Sequence, residues 1–182
     1  MPDLLLVDFE TTGVDTSVLE PLQCAAMLLR WDNKDLTILA RDNDYYKAEE
    51  PRREWGAFDF HCDTGFLREY EIREKEGRLS DPKGEGGVDD MLCDLLKLSI
   101  SQSRPMLCAR NVAFERGIME RYAPNALKGL HSYRNIDMTA LSLHPHLNSL
   151  HKVLISGSST HFADVDVEIE YEILHEFLEV LQ

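Results

Sequence analysis

Basic residues are scarce in this 182-residue sequence, which has 19 lysines and arginines against 33 aspartates and glutamates and a formal net charge of -14. Lysine and arginine contacts to phosphates dominate the affinity of proteins that follow long nucleic acids. The charge therefore argues against a protein that tracks a long nucleic acid through a basic groove. It leaves open an enzyme that holds a small substrate with metal ions, a few arginines or histidines, and base stacking.

Long apolar runs and paired cysteines are also missing. No apolar run approaches the length of a membrane span, and the N-terminus has neither the basic nor the long apolar segment of a signal peptide. The cysteines form no Cys-x-x-Cys pair and have no zinc-binding spacing; they are Cys24, Cys62, Cys93 and Cys108. We therefore expect reduced thiols in a cytoplasmic protein without a membrane partner.

The chain is long enough for one domain with a buried core. Its hydrophobic content of 43% and charged content of 29% are those of a globular protein. No repeat or low-complexity segment interrupts it, so we expect residues 1–182 to form a single domain.

The order of predicted elements indicates the fold class. Predicted strands lie at 4–10, 21–31, 36–46, 106–109 and around Ile136. Predicted helices follow Asp63 and cover 88–100, 111–122 and about 160–181, with loops at 47–61, 76–87 and 144–160. If the first three strands are antiparallel, the result is an α/β fold with a mixed sheet of about five strands, flanked by α-helices.

Two acidic residues end the first predicted strand. Asp8 and Glu10 follow an apolar run and lie two residues apart, so their side chains leave the same face of the strand. Carboxylates this close repel one another unless a cation lies between them, and hard divalent metals suit that position. Gly13 then permits a sharp turn. The alternative is a strand that ends in a polar, solvated turn.

Two further acids accompany predicted helices. The core face of the last helix is predicted from apolar residues three or four apart: Phe162, Val165, Ile169, Ile173, Phe177 and Val180. Asp166 leans onto that face, and His161 lies near the helix start, while Glu115 follows a short buried strand. Each has an ordinary alternative: Asp166 reaching water, His161 in a solvated loop, and Glu115 complementing a helix dipole. Four clustered acids would be able to hold two divalent cations about 4 Å apart.

Together these segments resemble the DEDDh family of 3′–5′ exonucleases, which have a ribonuclease H-like fold. Residues 8–13, Asp-Phe-Glu-Thr-Thr-Gly, are similar to the family's first motif. Residues 161–166 match its third motif, His-x-Ala-x-x-Asp. In the second motif, Glu115 stands where the family has aspartate.

Within this family the chain most resembles the oligoribonucleases. Cys108, followed by Glu115-Arg116 and Arg121-Tyr122, is similar to their second motif region. The segment 133–137, Tyr-Arg-Asn-Ile-Asp, and Trp55 followed by residues 61–66 are similar to two linking segments of those enzymes.

The resemblance implies a catalytic set. Asp8, Glu10, Glu115 and Asp166 would ligate two Mg²⁺ or Mn²⁺ ions. His161 would act as general base on the attacking water, for which an ordinary histidine pKa near ~6.5 is suitable. Because glutamate is longer than aspartate, the ion held by Glu115 is expected to shift, and Mn²⁺ tolerates such distortion better than Mg²⁺.

The resemblance also implies contacts to a short RNA substrate. Val14 would wedge between two bases, Trp55 would stack on a base, and His61 with Arg134 would cap the 5′ phosphate. Tyr133 would reach into the partner's site of a homodimer. Thr11 and Gly13 of the first motif and Asn111 of the second complete the expected substrate-binding set. The alternatives are a plain hydrophobic cluster of Trp55 with nearby phenylalanines, and surface positions for His61 and Arg134.

Three functions remain open from the sequence. The first is hydrolysis of short oligoribonucleotides, down to dinucleotides, to mononucleotides. The second is exonuclease action on single-stranded DNA or longer RNA, and a phosphate cap by His61 and Arg134 at the site would argue against it. The third is a catalytically impaired nucleotide-binding module, indicated by Glu115 alone.

Overall fold

The computed structural model describes residues 2–32, 35–49, 55–157 and 162–180. One mixed sheet contains five strands: β1 Asp3–Thr11, β2 Pro21–Asp32, β3 Asp35–Tyr45, β4 Met106–Ala109 and β5 Asn135–Asp137. The strand order is β3-β2-β1-β4-β5, with β1, β2 and β3 antiparallel and with β4 and β5 parallel to β1. The predicted fold class is therefore confirmed.

Helices cover both faces of the sheet. They are α1 Phe58–Asp63, α2 Phe66–Lys75, α3 Val88–Lys97, α4 Val112–Tyr122, α5 Pro124–Gly129, α6 Met138–Leu141, α7 Pro145–Gly157 and α8 Ala163–Val180. Alternate residues of β1 belong to different cores. Leu5, Val7 and Phe9 pack with α3, α4 and α5, whereas Leu4 and Leu6 pack with α6, α7 and α8.

This alternation positions the acids at the end of β1. Asp8 and Glu10 share the parity of Leu4 and Leu6, so they face the side of the sheet that α8 covers. The pairing of β1 with β2 is irregular between Glu10 and Thr11. Because β1, β4 and β5 are parallel, their carboxyl ends meet at one edge, and that edge carries the acidic side chains.

Three local predictions are wrong. Residues 145–157 form α7 instead of a loop, and Leu147 is buried against the core under α8. Proline is tolerated at the first position of a helix, so Pro145 begins α7 and does not interrupt it. Asp63 ends α1 and does not cap the next helix, since Gly65 with φ of 80° precedes α2. Residues 58–61, predicted as the end of a loop, form the start of α1. In addition, the short α5 was not predicted.

Within the described ranges, no helix has both the length and the apolar character needed to cross a membrane. All four cysteines are free thiols, and Cys24 and Cys108 are buried.

Candidate metal centre

Three acidic side chains converge at the carboxyl edge of the sheet. Asp8 and Glu10 come from β1, and Asp166 comes from the first turn of α8. One carboxylate oxygen from each lies within 4.8 Å of the other two. Glu10 is buried, and the other two are half-buried. Strand alternation and the helix spacing thus bring together residues that are more than 150 positions apart in the chain.

The acids strongly disfavour one another's ionised forms. Burial, followed by the charge of Asp166, raises the pKa of Asp8 from 3.8 to about 8, although nearby Arg110 opposes the shift. Burial and the charges of Asp8 and Asp166 raise the pKa of Glu10 from 4.5 to about 9. A hard divalent cation would neutralise this repulsion, and carboxylate oxygens are its preferred ligands. The donor set therefore fits Mg²⁺ or Mn²⁺.

Glu115 is a buried neighbour of this trio. It lies in the first turn of α4 with 4% of its surface exposed, and its Oε2 finds no hydrogen-bond donor in the described part of the chain. Burial and then the charge of Asp8 raise its pKa well above the ordinary value. Among the described residues, its oxygens do not join the group within 4.8 Å. The structure thus gathers three of the four predicted ligands and leaves the fourth beside them.

A fifth acid was not predicted. Glu170 lies one turn after Asp166 on α8 and is 2% exposed. Its Oε1 accepts a hydrogen bond from Nε of Arg110 at 3.3 Å. Burial and the charge of Asp8 raise its pKa well above the ordinary value, while Arg110 opposes the shift. A four-residue step from Asp166 was the available signal, because it places both side chains on one helix face.

A cavity of about 240 Å³ joins these groups. Its lining includes Asp8, Glu10, Asp166, Glu170, Arg110 and His151. The Arg110 guanidinium also donates to Nε2 of His151, so the imidazole carries its proton on Nδ1. Burial, then the charge of Arg110, lowers the pKa of His151. The cavity therefore combines a carboxylate cluster with the guanidinium of Arg110 and the neutral imidazole of His151. The sequence had suggested no role for His151.

A buried glutamine fixes the start of α8 beside β1. Gln23 lies opposite Glu10 in the sheet and is fully buried. Its Nε2 donates to Oδ1 of Asp164 at 2.8 Å, and its Oε1 accepts from the backbone N–H of Ala163 at 2.9 Å. These bonds anchor the first turn of α8 and hence the position of Asp166.

His161 lies outside the described residues. Its assignment as general base stays a prediction.

A second cavity, of about 310 Å³, opens beside Glu10. Its lining is formed by Glu10, Thr11, Gly13, Val14, Gly56, Ala57, Phe60, His61 and Phe114. Val14 is 87% exposed, and the Thr11 hydroxyl donates to the carbonyl of Gly13 at 2.6 Å. Asn111 caps α4 by accepting from the N–H of Phe114 at 3.3 Å. The predicted residues Thr11, Gly13 and Val14 therefore line one cavity, and Asn111 positions the helix that contributes Phe114.

Two predicted substrate contacts lie in an aromatic cluster instead of at an open surface. Trp55 and His61 are 5% and 1% exposed, and the Trp55 ring packs edge-on against Tyr70. Nε2 of His61 donates to the carbonyl of Thr11 at 2.7 Å, because a carbonyl oxygen can only accept, and Nδ1 lies 3.9 Å from Oε2 of Glu10. Base stacking by Trp55 or phosphate capping by His61 would require this cluster to open. In the structure, His61 supports the backbone after the two acids.

Tyr133 and Arg134 precede β5 and are exposed. Asn135, the first residue of β5, lies level with Leu107, which lies level with Leu5 of β1. At about 3.3 Å per residue, Arg134 is therefore about four residues, or roughly 13 Å, from the level of Asp8 along the sheet. The assignment of Arg134 to the 5′ phosphate, at a distance from the metal site, stays a prediction.

Comparisons with known proteins agree with the fold. No protein-family model and no curated protein matches the sequence. Among solved structures, the chain is similar to E. coli exonuclease I in complex with a dT13 oligonucleotide, with a TM-score of 0.62 and 17% identity over 97% of this chain and 41% of that chain. It is also similar to the zinc-bound form of the E. coli exonuclease I–ssDNA complex, with a TM-score of 0.57 and 16% identity over 100% of this chain and 42% of that one.

The metal-free form of that complex matches with a TM-score of 0.59 and 17% identity, over 100% of this chain and 40% of that chain. The present chain spans about two-fifths of the length of these structures. At such identities the likeness establishes the fold: a mixed five-stranded sheet flanked by helices, in the arrangement found in exonuclease I.

Proposed function

We propose that this chain is a metal-dependent 3′–5′ exonuclease domain that hydrolyses phosphodiester bonds of single-stranded nucleic acid. The observation that carries the proposal is the convergence of Asp8, Glu10 and Asp166 within 4.8 Å, at the carboxyl edge of a sheet with the exonuclease I arrangement. Buried acids in contact with one another are unfavourable unless they bind cations, so the site is suited to a metal-dependent reaction.

Different carboxylates of the site would bind each of two divalent cations, Mg²⁺ or Mn²⁺. Asp8, Glu10 and Asp166 would hold one cation, and Asp8 with Glu115 would approach the other. Bound cations supply a water of lowered pKa and neutralise charge on the reacting phosphodiester. His161 of the third motif is proposed to take the proton from that water.

The cavity beside Glu10 is proposed to receive the terminal nucleotide. Phe60 is 45% exposed and Val14 is 87% exposed, so both offer apolar surface to a base. His61 donates to the Thr11 carbonyl and thereby keeps the first-motif turn next to the acids. A base packed in this cavity would place the adjoining phosphodiester near Glu10.

A phosphate cap by His61 and Arg134 would need both side chains to move. His61 is buried and bonded to the Thr11 carbonyl, and Arg134 precedes β5, roughly 13 Å along the sheet from the level of Asp8. This arrangement favours single-stranded DNA or longer RNA as the substrate, and single-stranded DNA is the ligand named for the similar exonuclease I complexes.

A second candidate is an oligoribonuclease-like homodimer that acts on short RNA. Tyr133 supports it, because its ring is 75% exposed and contacts the edge of His131. In a dimer, Tyr133 would be available to reach the site of the second copy, and that contact would limit the length of RNA that enters.

The two candidates differ in length dependence. Incubation with Mn²⁺ and labelled RNA and DNA, from dinucleotides to about twenty nucleotides, should give stepwise shortening of long single strands from the 3′ end. Asp8→Asn should abolish it. Cleavage confined to the shortest RNA by a dimeric protein would support the second candidate, and a folded protein that cleaves none of these substrates would contradict both.

A further inference from the structure

Glu170 has a carboxylate oxygen with no hydrogen-bond partner among the described residues. The residue is 2% exposed, and Arg110 donates to Oε1 at 3.3 Å. For Oε2, no donor exists among the residues that the structure describes. A buried ion pair between Arg110 and Glu170 therefore accounts for only one of the two oxygens. Leaving the other buried and unbonded is costly, so a ligand at that oxygen would remove a real penalty.

Glu115 has a second oxygen in the same condition. Its Oε2 is also buried without a donor among the described residues, and it approaches from α4 instead of α8. Burial, and then the charge of Asp8, raises the pKa of both glutamates. Among the described residues neither glutamate belongs to the group of oxygens within 4.8 Å, but Glu170 lines the same cavity as that group. Each helix thus supplies one orphan carboxylate oxygen outside the metal trio.

We propose that Glu170 is a further carboxylate ligand for a divalent cation bound in the cavity that Asp8, Glu10 and Asp166 line, and that its side chain moves toward this trio when the cation binds. The inference rests on the proposed metal site and adds a residue that none of the sequence motifs contains. Glu170 lines the same cavity as Asp8 and Asp166, so a cation that enters the cavity can reach its carboxylate. A hard oxygen-binding cation such as Mn²⁺ or Mg²⁺ is the expected ligand.

Arg110 gives this site an internal competitor. The Arg110 side chain is 41% exposed, and its guanidinium forms an ion pair with Glu170, the carboxylate that the cation would use. A cation bound at Glu170 must therefore share the carboxylate with a fixed positive charge. Removing that charge should tighten cation binding, and the gain should depend on Glu170.

The first test measures Mn²⁺ binding directly, by calorimetry and by the electron paramagnetic resonance signal of the free ion. Glu170→Gln keeps the size and the acceptor for Arg110, and it should weaken the weaker of the two binding steps by at least about tenfold. Glu172→Gln, an exposed residue on the same helix, is the matched control and should leave both steps unchanged. Thermal unfolding shows that each variant is folded. Unchanged Mn²⁺ binding in folded Glu170→Gln would overturn the inference.

A double-mutant cycle separates ligation from general charge effects. Arg110→Gln should tighten Mn²⁺ binding, and Arg110→Gln combined with Glu170→Gln should lose that gain. If the double variant keeps the gain, the effect comes from net charge, and Glu170 is not a ligand.

The outcomes also separate this inference from the proposed function. Weaker Mn²⁺ binding in Glu170→Gln supports the additional ligand even if the wild type cleaves no nucleic acid. Nuclease activity with unchanged Mn²⁺ binding in Glu170→Gln refutes the additional ligand and leaves the function intact.

Discussion

At the scale of single residues, the site sets a cluster of carboxylates against one arginine. Burial raises the pKa of Asp8 and of Glu10, and the charges of the neighbouring carboxylates add to the effect. Arg110 supplies the opposing charge from the wall of the same cavity. A divalent cation and a bound proton therefore stabilise the same group of carboxylates and compete for it.

This competition predicts how the stability of the metal-free protein depends on pH. Asp8 and Glu10 have pKa values of about 8 and about 9 when folded, against ordinary values of 3.8 and 4.5. Between those values the folded chain keeps protons that the unfolded chain has lost, so the free energy of unfolding falls as pH rises. In a chelator, the melting temperature should decrease from about pH 5 to about pH 9.

Two comparisons check that origin. Asp8→Asn should flatten the pH dependence, and added Mn²⁺ should raise the melting temperature most at the alkaline end. A metal-free melting temperature that rises over this range would contradict the prediction.

The position of Glu115 outside the carboxylate trio predicts which divalent metal supports faster turnover. Mg²⁺ demands near-ideal octahedral geometry, and Glu115 stands apart from the trio that lies within 4.8 Å. We expect faster turnover with Mn²⁺ than with Mg²⁺, measured on one labelled single strand. Equal rates with the two ions would contradict this. Glu115→Asp tests the longer side chain itself: lower activity with unchanged folding would mean that the site is adapted to glutamate.

At the scale of elements, the start of α8 determines where Asp166 lies. Gln23 makes two hydrogen bonds to this turn from a fully buried position on β2. The position of Asp166 on α8 thus depends on the side-chain amide of Gln23 on β2. Positioning of this kind lies outside any sequence motif.

Gln23→Leu tests this anchor. The substitution leaves the Ala163 N–H without its acceptor, so stability should fall by roughly 1–3 kcal/mol. Because the turn that carries Asp166 is no longer held, Mn²⁺ affinity and turnover should also fall. Leu92→Ala, in the core on the other face of the sheet, should cost about 2–5 kcal/mol yet leave Mn²⁺ affinity unchanged. Equal effects of both variants on Mn²⁺ binding would contradict the anchoring role.

The same helix shows where sequence reasoning succeeds and where it stops. Asp8 and Glu10 were predictable, because strand alternation is local. On α8 the predicted core face is confirmed at Ile169 and Ile173, but it left out other residues that are buried, which are Ala163, Val167, Glu170, Leu174 and Leu178. Val180 is 51% exposed. The rotation of a helix about its axis is set by packing against the sheet, so the burial of Glu170 was not visible from periodicity.

Helix α7 was missed for a related reason. Leu147 is buried, and Leu150 and Leu154 pack at helical spacing against the same core. The histidines, serines and Pro145 in this segment suggested a loop. Tertiary packing outweighed those local signals. The error also concealed His151, since a residue assigned to a loop was not expected at the wall of the acidic cavity.

At the scale of the whole molecule, the acidic balance should limit how the protein holds its substrate. The formal net charge is -14, and Arg110 lines the candidate site with 41% of its side chain exposed. A chain of this charge repels a polyanion at a distance, so affinity must come from cations and from base contacts in the cavity beside Glu10. At this scale the five strands of the sheet followed from the sequence, because each strand depends on many residues at once, whereas α5 and α7 did not.

A weak dependence on salt follows for substrate binding. If Arg110 makes one phosphate contact, a plot of the logarithm of substrate affinity against the logarithm of monovalent salt concentration should have a slope of about -0.7. Arg110→Gln should bring that slope toward zero, whereas Arg104→Gln, at an exposed position away from the cavity, should not change it. Fluorescence anisotropy of a labelled single strand at fixed Mn²⁺ gives the slope. A several-fold steeper value would indicate a basic path on the surface and contradict the prediction.

The two-residue period of β1 links folding to chemistry. Odd-numbered positions such as Val7 and Phe9 fill one hydrophobic core, and the even-numbered Asp8 and Glu10 face α8. A single residue inserted after Val7 would move both acids to the opposite face of the sheet, where the core beneath α3 and α4 lies. The same insertion would point Phe9 toward the candidate metal site. An insertion or deletion in β1 would therefore both bury charged groups in the core and remove the candidate metal site. Exchange of one aliphatic residue for another at Leu5 or Val7 would do neither.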